Sequence, residues 1–351
     1  MSVTIAEPIK NRTVGPRIRK ICRDRLLAVS QGNFQRNKRS TSSPQMTVVS
    51  LFSGCGGLDL GFIGNFNFLG KYYGETLFNI AWANEINHAA CRTYRRNIGA
   101  HIVEGDIWEA LSSIPKNADV VIGGFPCQDI SINGKGAGID GKRSGLYRAM
   151  VEAVSLIRPK VFVAENVKGL LMKRNKQSLN RVLADFRSLG YQVNYRLYHA
   201  ADYGVPQTRD RVFIVGTRPD VPSFIHPDPL PDKHVTAKEA IGDLECLGLN
   251  EAFNHVWSLA NKSAEQGNRK LIADRPGYTI RAECHGNIQF HYSLPRRISM
   301  REAARFQSFP DSFVFEAKLR ETERQIGNAV PPVLAWHIAK AVEEVIKGDA
   351  L

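Results

Sequence analysis

From residue 46 onward the chain alternates short apolar, β-rich runs with amphipathic helical stretches. This rhythm restricts its fold more than any single residue does. The β-rich runs fall at 47–52, 78–83, 118–122, 161–164, 191–197 and 211–215, and helical patterns fill 88–97, 146–156 and 179–189. Buried runs of four to eight residues separated by helices suit a parallel sheet covered on both faces. Residues 46–216 are therefore predicted to form a doubly wound α/β domain. In such domains chemistry collects at the carboxyl ends of the strands.

Composition narrows the class further. The 351 residues are 43% hydrophobic and 23% charged, which excludes a wholly disordered chain. No apolar run approaches the ~20 residues needed to span a bilayer, and the charged N-terminus argues against export. Six cysteines (Cys22, Cys55, Cys91, Cys127, Cys246, Cys284) lack any CxxC pair. That spacing argues against a disulfide framework and a closed zinc site, and fits a reducing cytoplasm. The net charge is +13, and residues 1–45 carry +8 of it through ten basic and two acidic side chains. Such an arm gains affinity for phosphates by releasing counterions, although a solubilising tail would carry the same charge. A short basic helix is predicted at 18–29 and a polar linker at 35–45.

The strand ends carry the chemistry. After the first comes Phe52-Ser53-Gly54-Cys55-Gly56-Gly57-Leu58, whose glycines let backbone approach a ligand and aim helix N–H groups at an anionic part. After the second stands Asn84-Glu85-Ile86, where a carboxylate can accept both hydroxyls of a ribose and Ile86 can pack on the attached base. Gly105-Asp106-Ile107 follows, with a carboxylate suited to an adenine amino group. Together they favour an adenosine cofactor over the simpler alternative, that Glu85 and Asp106 only cap the helices behind them.

The next strand ends in Gly123-Gly124-Phe125-Pro126-Cys127-Gln128, a cysteine on a rigid turn at the active edge. A thiolate is nucleophilic, and a pKa of about 8.5 leaves a few per cent ionised at neutral pH. The Gly-rich loop 131–138 is suited to closing over a substrate. Glu165, directly after four apolar strand residues, is poorly solvated, which raises a carboxyl pKa and suits a proton donor. Gln207, Arg209 and Arg211 alternate onto one face, so two guanidiniums are expected to grip a base carbonyl, carboxylate or phosphate.

These blocks, with Arg301-Glu302-Ala303-Ala304-Arg305-Phe306-Gln307-Ser308-Phe309-Pro310 and Gln325-Ile326-Gly327-Asn328-Ala329-Val330-Pro331-Pro332, resemble the DNA (cytosine-5) methyltransferases in order and spacing. The likeness covers roughly residues 46–345. It implies a doubly wound S-adenosylmethionine-dependent methyltransferase domain (46–216 with 323–351). A smaller, irregular target-recognition domain (217–322) would complete the fold, with the arm 1–45 outside both. Phe52, Gly54, Gly57, Glu85, Ile86, Asp106, Ile107, Leu146, Asn328 and Ala329 match cofactor-binding positions, so the C-terminal helix should return to the first domain. Cys127 matches the nucleophile, Glu165 the residue on the target's N3 edge, and Arg209 and Arg211 the substrate clamp. Ile86 stands where many relatives place a tryptophan.

The chemistry so implied is attack of Cys127 on C6 of a flipped cytosine, which makes C5 nucleophilic towards the methyl group, with no metal. Double-stranded DNA is the implied partner, with Gln128, Ser131, Thr279, Arg281 and His285 as expected contacts. The segment 217–296 breaks the β-α rhythm and holds five of the nine histidines, and the resemblance makes it the base-reading region. A monomeric bacterial cytoplasmic enzyme is expected, with room for a cognate restriction endonuclease acting separately. A tRNA cytosine-5 methyltransferase would carry a Cys-Phe-Thr signature that is absent here. A nicotinamide dehydrogenase would leave Cys127, Glu165 and the arginines without a role, and a catalytically dead DNA-binding regulator would not keep every catalytic residue.

Overall fold

The computed structural model describes residues 45–126, 145–230, 233–258, 269–282 and 289–348. Residues 1–44, with the helix expected at 18–29, and residues 127–144, with the Gly-rich segment 131–138, lie outside them. In chain order, β1 (Met46–Leu51) leads to α1 (Gly57–Ile63) and a hairpin of β2 (Phe66–Phe68) and β3 (Lys71–Tyr73). Next come β4 (Phe78–Glu85), α2 (His88–Asn97), β5 (Ile102–Glu104), α3 (Ile107–Ala110) and β6 (Val120–Gly124). Beyond residue 144 follow α4 (Leu146–Ile157), β7 (Val161–Val167), α5 (Lys176–Ser188), β8 (Gln192–His199), β9 (Gln207–Thr208) and β10 (Asp210–Thr217). The remainder contributes α6 (Ala237–Ile241), β11 (Gly277–Tyr278), α7 (Met300–Phe306), α8 (Leu319–Asn328) and α9 (Pro332–Gly348).

Seven strands form one sheet in the order β5-β4-β1-β6-β7-β10-β8. β1 pairs in parallel with both β4 and β6, so the strand order reverses there, where such sheets open a ligand crevice. All six strands and three helices expected from periodicity are present; β5 and the β2–β3 hairpin, each strand three residues long, were too short to show.

One strand corrects the all-parallel expectation. β10 is antiparallel to both β7 and β8. Only residues 200–209 link β8 to β10, too few for the helical crossover that a parallel pair requires, so the chain turns back. The reversal places the start of β10 beside the end of β7, with Arg211 opposite Val167 and Phe213 opposite Glu165.

Helices cover both faces. On one, Met150 and Val154 of α4 join Leu179, Val182, Leu183 and Phe186 of α5, the latter at helical i, i+3, i+4, i+7 spacing. On the other, Leu58 and Phe62 of α1 meet Leu334, Ile338 and Val342 of α9, so the C-terminal helix does return to the first half. Residues of 217–322 share this second core: Ala240, Ile241, Leu271, Ile280 and Ile298 belong to the same apolar cluster as α1 and α9. The proline-rich stretch after β10 runs along the sheet's edge. Ser223 Oγ donates to Gln192 Oε1 at 2.7 Å and Asn194 Nδ2 to the Phe224 carbonyl at 3.4 Å, which covers the outermost strand, β8.

Cys55 and Cys91 are free and Cys246 is disulfide-bonded, a link that spacing along the chain did not foretell. No helix among the described residues is long and apolar enough to cross a membrane, and no cluster of metal-binding side chains occurs among them.

Candidate active site and cofactor cleft

The three strand ends expected to hold an adenosine are sewn together by hydrogen bonds. Ser53 N donates to the Asn84 carbonyl (2.9 Å), and Gly54 N to Glu85 Oε2 (2.9 Å). Gly105 N donates to the Glu85 carbonyl (3.1 Å), while Asn84 Nδ2 reaches the carbonyls of Val103 and Gly105. Gly54 adopts φ +56°, a left-handed conformation that favours glycine, and a Cβ there would point into open space. Phe52 holds φ 55° without being glycine, a strained conformation of the kind found at functional turns. Glu85 is held above the usual carboxylate range by burial, against backbone N–H groups that favour its charge.

The residues fit an adenosine. Glu85 presents a fixed carboxylate, Ile86 is 68% exposed beside it, and Asp106 is exposed with Oδ2 unpartnered, Oδ1 accepting from Trp108 N at 2.8 Å. Asp106 thus also caps α3, so capping and ligand binding coexist there. Ile107 departs from expectation: its side chain is buried in the core, leaving only its backbone for a ligand. Trp108, which sequence reasoning passes over, is 46% exposed next to Asp106. Its one signal is a large aromatic directly after a helix cap. Leu146 begins α4, half-buried against the core. Gly57 works by close packing, since a Cβ there would lie 2.4 Å from the Val330 carbonyl oxygen. That approach brings Ala329 and exposed Asn328 onto the Gly-rich turn.

Beneath this turn Asp59 is fully buried. Tyr94 Oη donates to its Oδ1 at 2.8 Å, Oδ2 has no partner, and burial raises its pKa to about 6.

The second cluster sits where β6, β7 and β10 meet. Glu165 is 8% exposed and pairs with Arg211, Nε to Oε1 at 2.7 Å. Burial raises the Glu165 pKa, while Arg211 and Arg209 pull it down. A Cβ at Gly124 would come within 2.9 Å of Glu165 Oε2, so only glycine lets β6 lie so close to the carboxylate. Asn166 Nδ2 donates to the Phe125 carbonyl at 3.0 Å, fixing the chain just before Pro126. Cys127, Gln128 and Ser131 lie outside the described residues, as does His285.

Arg209 differs from its expected place. Its guanidinium, 1% exposed, donates to the carbonyls of Ile280 (2.9 Å), Gly327 (2.7 Å) and Ala329 (3.1 Å). Gln207 acts alongside: its Nε2 reaches the Phe306 carbonyl (2.9 Å), and its Oε1 accepts from Ile280 N (2.9 Å). β9 pairs with β11 in the same seam, and Thr279 Oγ1 donates to the Thr208 carbonyl at 2.5 Å. Of the two arginines, Arg211 stands at the carboxylate. Arg209 ties Ile280 to the turn carrying Asn328 and Ala329, and Arg281 beside that seam is exposed.

A sheet switching direction at β1, with a Gly-rich turn and carboxylates at successive strand ends, is consistent with the fold of S-adenosylmethionine-dependent methyltransferases. The family model for C-5 cytosine-specific DNA methylases matches residues 46–276 and 248–344, and the chain belongs to that family, the DNA (cytosine-5) methyltransferases. It is 37% identical over 347 residues to the type II methyltransferase M.NgoFVII of Neisseria gonorrhoeae, covering 88% of this chain and 89% of that protein. It is 36% identical to M.MthTI of Methanothermobacter thermautotrophicus, covering 86% and 98%. Among solved structures, a prophage-encoded DNA modification methyltransferase (E. coli) superposes with a TM-score of 0.66 at 24% identity, over 86% of this chain and 100% of that one. The S. pombe Dnmt2 methyltransferase gives 0.63 at 17%, over 86% and 99%; both show the shared fold.

Proposed function

We propose that this methyltransferase transfers the methyl group of S-adenosylmethionine to C5 of a cytosine flipped out of a specific duplex sequence. The buried Glu165–Arg211 pair, at the strand ends that feed Cys127, is the observation that carries this reading. S-adenosylmethionine, when bound, supplies an electrophilic methyl; Glu85, Asp106 and the Gly54 turn would hold its nucleoside, with Ile86 and Trp108 against the base.

Cytosine C5 is a feeble nucleophile until the ring's conjugation is broken. The Cys127 thiolate forms a bond to C6, and the electron pair displaced from the ring moves to N3. Glu165, whose pKa burial raises, donates its proton to N3, and Arg211 fixes its orientation and holds its conjugate base. After C5 is methylated, a base takes the C5 proton. The electrons of that C–H bond re-form the C5=C6 double bond as the C6–S bond breaks and releases the Cys127 thiolate, and the N3 proton returns to Glu165. Arg209 is a positioning residue, holding the Ile280 strand and the Ala329 turn in register. Residues 217–322 read the site, with Arg281 the described cation closest in sequence to the Thr279–Ile280 seam. The likeness to type II methyltransferases supports, as the physiological role, protection of DNA against a cognate endonuclease acting separately.

The test is transfer of labelled methyl from S-adenosylmethionine to duplex DNA, followed by mapping of the modified base. Label on cytosine C5 within one recurring sequence is expected; label on an exocyclic nitrogen or on protein alone would refute the reading. Cys127→Ser should abolish transfer while duplex binding persists, since a serine hydroxyl is scarcely ionised. Near-normal turnover by that variant would remove Cys127 as nucleophile.

A further inference from the structure

Directly after the catalytic acid's strand lies a run of cations that the mechanism does not use. Residues 168–184 contain Lys168, Lys173, Arg174, Lys176 and Arg181 and no aspartate or glutamate. All five are exposed. Lys168 pairs with Asp210 at 2.8 Å, next to Arg211. The other four side chains make no ion pair or hydrogen bond among the described residues.

A run of surface charge is ordinarily just a solvated face, and two features separate this one. The first is rigidity. Asn175 Nδ2 donates to the Gly169 carbonyl (2.7 Å), Asn175 N to the Met172 carbonyl (2.8 Å), and Met172 N to the Gly169 carbonyl (3.1 Å). Leu170 is buried beneath, so the cations stand on an ordered ledge. The second is placement against the fold's own interest. Lys173, Arg174 and Lys176 crowd the start of α5, whose first turn holds no acid. Cations at a helix N-terminus oppose its dipole. A polyanion laid across the ledge turns that repulsion into attraction.

We infer that the ledge of Lys173, Arg174 and Lys176, extended by Arg181, is a docking surface for the phosphate backbone of duplex DNA flanking the methylated base. This rests on the DNA reading above and adds to it a sequence-independent grip on the catalytic half. Phosphate contacts position a protein without specifying bases, so the ledge sets affinity and register and leaves site choice to the recognition region. Met172, 48% exposed among these cations, adds apolar surface at the same rim.

The experiment compares the full chain with the triple variant Lys173→Ala, Arg174→Ala, Lys176→Ala. Binding to a duplex containing the mapped site, to one lacking it, and to an RNA duplex is measured across a salt series. Affinity for both DNA duplexes should fall by similar factors, and the log–log salt slope should shrink by about 0.9 for each phosphate that the variant no longer neutralises. Affinity for S-adenosylmethionine and turnover at saturating DNA should be unchanged. An unaltered slope and affinity in the variant, with the parent chain binding DNA normally, would overturn the ledge alone. A parent chain without salt-dependent DNA binding would instead overturn the reading beneath it. Loss confined to the RNA duplex would show that the ledge serves RNA and would also overturn the inference.

Discussion

The seven-stranded sheet and the irregular region that follows it are stabilised by different means. In β7, residues 161–166 are buried, and their backbone groups pair with β6 on one side and β10 on the other. In residues 233–315 the backbone pairing is scattered over turns, short helices and isolated bridges instead of continuous ladders, and side-chain clamps join these pieces. The Arg301 guanidinium, wholly buried, donates to the carbonyls of Phe253 (2.9 Å), Pro310 (3.2 Å) and Phe313 (2.7 Å). Asn254 exchanges two hydrogen bonds with Phe315, Arg305 bridges Asp243 and Asp311, and Arg296 grips Glu302 with both terminal nitrogens. Irregular chain can be buried only if something satisfies its carbonyls, and here a few arginines do so. A periodic half tolerates substitution; a clamped half concentrates its stability in single residues.

That contrast can be broken by stability measurements. Arg301→Leu should lower the urea-unfolding free energy by at least about 3 kcal/mol, because three buried carbonyls lose a charged donor. A cost below about 1 kcal/mol would mean that water replaces the clamp readily.

In the sheet half, Asp59 is a buried carboxyl outside the strand-end sites. Its pKa is raised in the fold from 3.8 to about 6, so its contribution is complete below about pH 4 and is lost as pH rises through about 6. Between pH 4 and pH 7 the parent chain should lose up to about 3 kcal/mol more stability than Asp59→Asn. Parallel stability–pH curves for the two would show that Asp59 does not titrate in that window.

The smallest effect is expected at Ile214, fully buried in β10. Ile214→Val should cost only about 0.5–1.5 kcal/mol. If it matched Arg301→Leu in cost, the two halves would not differ as described.

The same contrast explains what is legible in the sequence. Strand and helix periodicity exposes β1, β4, β6, β7, β8, β10 and three helices, because each buries a regular face. The direction of β10 is not legible in its own residues: an apolar run looks the same in either orientation, and the short 200–209 connection is the clue. Glu165 is legible as an acid at the end of a buried strand, but its pairing with Arg211 depends on that reversal. Period-two spacing assigns Arg209 and Arg211 to one strand face, but the strand is interrupted at Arg209, between β9 and β10. Arg209 is therefore buried against the Ile280, Gly327 and Ala329 carbonyls while Arg211 stands at the carboxylate. Arg301 and Arg305 show in the sequence only as members of a family block. Their clamping role needs partners dozens of residues away, which no local pattern reveals.

The proton-handling role proposed for Glu165, which is buried and paired with Arg211, is the centre of the account. The most direct measurement is the pH dependence of methyl transfer to duplex DNA by the parent chain and by Glu165→Gln, with S-adenosylmethionine affinity measured alongside. The parent's activity should fall as pH rises through the raised pKa of Glu165. The variant should be slower by about 10²–10⁴-fold, lose that limb of the profile and keep its cofactor affinity. A variant that turns over at nearly the parent rate, or that loses only S-adenosylmethionine affinity, would contradict the role assigned to Glu165.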